Sequence, residues 1–169
     1  MRLPRTLSGR AGALVGAGLA LLIGGCVSSD LSQDARLGAQ VAEGLPVGTP
    51  APSLVVRAFW FPKANGAGST GPSLKGVLAL AGDKLYFLAW NDQLNTYDTQ
   101  QSVSFLTAIR VEVVRRGLAP MLVVESKNMS FDSFELMQGG SVVPDAATTE
   151  ELCGRLQALR AQQAPAEAQ

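Results

Sequence analysis

The chain has 169 residues, 47% of them apolar, with 14 basic and 14 acidic side chains and no histidine. That length holds one domain with appendages, and the apolar share suffices for a packed core. Lack of imidazole removes the commonest general base and metal ligand, and two cysteines build neither a disulfide framework nor a zinc site, so only carboxylates remain for acid–base chemistry and catalysis is disfavoured.

Arg2, Arg5 and Arg10 make a positive start, Ala11 to Ile23 is an uncharged run of 13 residues, and Gly24-Gly25 are small. This is the layout of a secretory signal, and the run falls short of the roughly 20 residues that span a bilayer. Leu21-Leu22-Ile23-Gly24-Gly25-Cys26 resembles the lipobox of bacterial lipoproteins. The resemblance implies that residues 1–25 are a removed leader and that Cys26 becomes an acylated first residue. Each buried methylene contributes about 0.8 kcal/mol, so two or more acyl chains hold a protein at the membrane. Val27, where an aspartate would imply inner-membrane retention, points to the periplasmic face of the outer membrane. Three of the 14 basic residues leave with the leader, and 11 remain against 14 acidic ones. Such a balance disfavours nucleic acid as a partner.

Residues 26–52 hold Gly38, Gly44, Pro46, Gly48, Pro50 and Pro52, the composition of a flexible linker, with a short helix over 32–43 suggested by Leu37 and Val41. Leu54 to Phe61 reads as a strand that Pro62 ends. Lys63 to Lys75 is a loop of small residues without the Lys-Ser/Thr ending of a phosphate-binding loop. Gly76–Ala81 and Lys84–Trp90 form a hairpin about Gly82-Asp83. Thr96–Asp98 is a short strand, and Val103 to Arg116 one long strand bent near Thr107. Met121–Glu125 follows, then residues 129–136, whose alternation leaves both registers open. Thr148 and Glu151 have capping-box spacing, and Leu152, Leu156 and Leu159 give the ensuing helix an apolar face with Cys153 as a small core residue beside it. Pro165 stops that helix, and residues 164–169 are expected to be a disordered tail.

The expected fold is mainly β: a small bent antiparallel sheet or barrel of six to seven strands, capped by one C-terminal α-helix. The segments GVLALAGDKLYFLAW, AIRVEVVRRG, MLVVES, FDSFEL and TTEELCGRLQAL carry the order of elements. In that order the chain over 53–163 resembles the pleckstrin-homology-like superfold with its GRAM and bacterial PH-like groups. The resemblance implies binding of phosphoinositides or peptides. Lipid-binding members place basic side chains near the first strand–strand loop, and here Lys63 and Lys75 stand too far apart for a phosphate clamp.

Trp60 and Trp90 are read as core or cross-strand aromatics that become a partner or ligand surface where exposed. Arg110, Arg115 and Arg116 are read as charges guarding a strand edge, or as contacts for acidic headgroups or an acidic partner. Asp92, Asp98, Asp132 and Glu135 are the carboxylates from which a glycan-cleaving pair would have to come. No cofactor is expected, and D-x-D-x-D calcium spacing is absent. The sequence therefore points to a non-catalytic, membrane-anchored periplasmic binding or adaptor module. Its partners would be the membrane through the anchor at Cys26, and another envelope protein or a lipid. The alternative is a carrier or sensor of a small apolar ligand or lipid within the β-domain.

Overall fold

The structure, a computed structural model, describes residues 35–63, 72–127, 130–139 and 141–163. Cys26, the leader, most of the Lys63–Lys75 loop and the 164–169 tail lie outside them. Seven strands form one antiparallel sheet: β1 (Leu54–Lys63), β2 (Leu74–Ala81), β3 (Lys84–Asn91), β4 (Thr96–Ser104), β5 (Arg110–Arg116), β6 (Ala119–Glu125) and β7 (Phe131–Leu136). Helix α1 (Ala35–Gly44) precedes them and α2 (Ala146–Gln163) follows. The strand order is β4-β3-β2-β1-β7-β6-β5, so β4 and β5 are the two edges of an unclosed sheet.

Two meanders meet at β1, which pairs with β2 over Leu54–Trp60 and with β7 over Ala58–Lys63. The β2–β3 turn is the expected Gly82-Asp83, with Gly82 at φ +60°, where a side chain would be strained. Alternation along the strands sorts the side chains into two layers. Leu54, Val56, Leu78, Leu80, Leu85, Phe87, Val111, Leu122, Val124, Phe134 and Leu136 face inward. Phe105 and Ala108 join them, and α2 closes the layer with Leu152, Cys153 and Leu156. Hydrogen bonds fasten α2 across the strands it covers. Gln157 Nε2 donates to the Val111 carbonyl at 2.9 Å and Arg160 Nη2 to the Ala108 carbonyl at 2.8 Å.

The second layer lies on the outer face of β1–β4, where Val55, Val77, Ala79, Ala81, Tyr86 and Leu88 pack with Val41 of α1. Val41 is fully buried. The stretch expected to be flexible linker is thus folded onto the sheet from Ala35 onward. The reason is visible in its sequence: Leu37 and Val41 make one apolar stripe, and the outer face of β1–β4 offers an apolar surface to receive it. Gly44 is the close-approach residue. A β-carbon there would fall on the carbonyl of Tyr97, and the Gly44 carbonyl accepts a hydrogen bond from Thr99 Oγ1 at 2.9 Å.

Four local expectations change. Pro62 does not end β1, because beyond Trp60 that strand has left β2 and pairs only with β7, so a missing N–H on the free side costs no ladder bond. The β4 strand runs to nine residues rather than three. The long strand over Val103–Arg116 is two strands on opposite edges, joined by a crossover whose Phe105 and Ala108 are buried although they pair with no strand. Helix α2 starts three residues earlier than its capping box. Asp145 is the cap, its carboxylate accepting from the Thr148 backbone N–H at 3.0 Å and from Thr148 Oγ1 at 2.7 Å.

Candidate functional site

The open register of β7 resolves with Asp132, Phe134 and Leu136 inward, which puts a carboxylate inside the curled sheet. Asp132 is only 4% exposed. Trp60 Nε1 donates to its Oδ1 at 2.9 Å, and Gln101 Nε2 approaches both carboxylate oxygens at 3.1 Å. Burial pushes the Asp132 carboxyl above its ordinary value, while the bonds from Gln101 and Trp60 pull the other way. The geometry also measures the curl. Gln101 is on β4 and Asp132 on β7, four strand spacings apart in the sheet order. On a flat sheet that is about 19 Å. Contact between their side chains requires the sheet to fold over, and the bridge joins strands that share no ladder.

Trp60 therefore belongs to the interior. Its ring lies 5.5 Å from that of Phe87, which lies 6.4 Å from Phe134. Trp90 points the other way, onto the outer face. It is 40% exposed and meets Tyr97 edge-on at 5.1 Å. At the adjoining β3–β4 turn Leu94 is 68% exposed. The turn is fixed by Asn91, whose Oδ1 accepts from the backbone N–H of Gln93 and of Leu94, while its Nδ2 donates to Asp98 Oδ2 at 2.6 Å. Asn95 completes it with φ +52°. Trp90, Tyr97 and Leu94 form an aromatic corner next to the end of α1, held rigid by a side-chain-bonded turn. The two tryptophans named together from sequence do not share a surface.

The arginines are spread along the β5 edge. Arg110 pairs with Glu125 across the ladder at 3.0 Å and with Glu112 at 3.3 Å. Arg115 reaches Glu150 on α2 at 3.3 Å, with both side chains exposed. Of Arg116 only the strand position is described. Two of the three charges are thus already answered by carboxylates, the pattern of a solvated edge more than that of an anion-binding patch.

The remaining carboxylates do not gather into a pair. Asp132 and Glu135 stand three residues apart on one strand and so face opposite sides; Asp98 is tied to Asn91, and Asp92 is exposed in the turn. Among the described residues no cluster of histidine, cysteine or acidic side chains is arranged to hold a metal ion. The alternation over residues 129–136 leaves the side of Asp132 open and offers it only as one of the carboxylates of a glycan-cleaving pair. Only Trp60 and Gln101 explain its burial, and they lie 72 and 31 residues away along the chain. No family model matches the chain, and no curated protein matches it.

Proposed function

We propose that the protein is a lipid-anchored periplasmic module, acylated at Cys26, that binds a partner without catalysis through its β-domain. The supporting observation is the position of α1. Helix α1 includes Ala35, and eight residues of sequence separate that position from Cys26. Their covalent reach is at most about 30 Å, which holds the domain against its membrane and not on a long tether. The seven-stranded sheet with its C-terminal helix fits the resemblance to the PH-like superfold, whose members are mostly binding modules. The scattered carboxylates support a role without acid–base chemistry. On the surface, the Trp90–Tyr97–Leu94 corner is the contact offered to a lipid or an envelope protein.

Both halves of the reading are tested in cells. Labelled palmitate should enter the full chain and not Cys26→Ala, and the wild type should fractionate with outer membrane. Absence of label in the wild type refutes the anchor. Trp90→Ala should release whatever lipid or protein the tagged wild type retains from solubilised envelopes; equal retention refutes the corner as the contact.

A further inference from the structure

We infer that the Trp90–Tyr97–Leu94 corner rests in the interfacial layer of the bilayer that holds the anchor, against a zwitterionic lipid surface. The inference rests on the anchored-module reading and names the partner of that corner. Several observations favour lipid over protein.

The first is where the chain enters. α1 lies on the same outer face as Trp90, its end touches Tyr97, and the 34 residues before it include the cysteine read as the anchor. The corner lies on that shared face at the Gly44 end of α1, about 14 Å along the helix from Ala35, where the tether joins, and so within the tether's reach of about 30 Å.

The second is chemistry. Trp90 and Tyr97 are amphipathic rings, the residue types that settle at the membrane–water interface with an apolar body in lipid and a polar edge in water. The turn carries no basic residue; its acidic Asp92 is exposed, and Asp98 beside it on β4 is bonded to Asn91. Recognition of anionic headgroups would need cations that the corner lacks, so insertion is apolar and insensitive to salt.

The third is size. Trp90, Leu94 and the part-exposed Tyr97 offer about 300 Å², against the roughly 800 Å² per partner of a stable protein interface. Such an area is weak alone and becomes sufficient when an acyl anchor already supplies a high effective concentration.

The fourth is that helices lie over part of each sheet edge. At β4 the end of α1 lies over Tyr97 and Thr99, and at β5 Gln157 of α2 takes the carbonyl of Val111 while Arg160 takes that of Ala108 just before the strand. A peptide seeking a free ladder finds these positions occupied.

The test uses the full acylated chain in vesicles of phosphatidylcholine and phosphatidylethanolamine containing bromine-labelled acyl chains. One of two tryptophans moves into lipid, so about half of the wild-type emission should be quenched. Trp90→Phe, which keeps Trp60, should lose that quenching, and Leu94→Ser should weaken it. Leu118→Ala, an exposed leucine in the β5–β6 turn, should leave it unchanged. Raising the salt to about 0.5 M should have no effect, because an apolar contact is not screened. Flotation with the vesicles but equal quenching in wild type and Trp90→Phe overturns the inference and leaves the anchor intact. Failure to float overturns the anchored-module reading and the inference with it. A photo-crosslinking residue at position 90 that captures a protein in cells, in place of lipid, also overturns it.

Discussion

Asp132 offers the sharpest test of how the curled sheet is held. Replacing it with alanine removes the acceptor shared by Trp60 Nε1 and Gln101 Nε2. A buried donor left without a partner costs about 1–3 kcal/mol. Two such donors, less the relief of no longer burying a carboxylate, give a net loss of about 2 kcal/mol. For a domain of this size that lowers Tm by about 6–10 °C. Asp132→Asn should behave differently at neutral pH. Its Oδ1 still accepts from Trp60, a flipped Gln101 amide accepts from its Nδ2, and no charge is buried, so its stability stays within about 1 kcal/mol of wild type or exceeds it. The pH dependence follows from the direction of the shift. Burial raises the folded-state value above the ordinary 3.8, so the folded chain holds the proton more tightly than the unfolded one. The stability this group contributes is therefore full below 3.8 and is lost as pH rises through the folded-state value. Denaturant unfolding of wild type and Asp132→Asn should be followed by tryptophan emission from pH 3.8 upward to neutral. The wild type should lose stability relative to Asp132→Asn over that window, a difference that cancels the other carboxylates. An alanine variant as stable as wild type, or a wild-type-minus-asparagine difference independent of pH, refutes the reasoning.

Two further outcomes follow from buried side chains. Val41→Asp places a charge in the fully buried seat of α1, so hydrogen exchange of residues 35–44 should rise to that of free chain while β1–β3 amides stay protected; retained protection of α1 would show that it does not depend on this contact. Cys153 is buried, and burial together with the negative charge of Glu112 pushes its thiol up. A disulfide reagent should therefore titrate no thiol in the folded acylated protein and one after unfolding. Two thiols after unfolding would mean that Cys26 carries no lipid, and rapid reaction in the folded state would contradict the packing of α2.

The sheet and α2 were legible because local pattern and tertiary structure agree there. Period-two alternation in Lys84–Trp90 and Met121–Glu125, a two-residue turn at Gly82-Asp83, and leucines at 152 and 156 each carry their own signal. Where reading failed, a distant residue decides the local outcome. Composition marks residues 26–52 as linker; the short helix that Leu37 and Val41 suggest over 32–43 is present as Ala35–Gly44, and what composition does not show is the apolar sheet face that receives it, in strands that begin ten residues beyond its end. In the crossover at 105–109, burial and not a ladder places Phe105 and Ala108 inside.

Asp132 is the same problem in its sharpest form. Alternation in FDSFEL assigns either its odd or its even residues to the core, and the charged side chain argues locally for the wrong face. Phe134 and Leu136 outweigh it, because together they remove two large apolar side chains from water, each worth about 1.5–3 kcal/mol. The carboxylate is then carried inward by register, and the fold answers it with an indole and an amide from strands that only a curled sheet brings near. The aromatic corner inverts this logic. Tyr86 and Leu88 are covered by α1, whereas Trp90, two residues further along the same face, lies beyond the helix and stays exposed. Cover by α1 thus separates the buried Tyr86 from the exposed Trp90, and Leu37 and Val41 are the sequence signal for that helix.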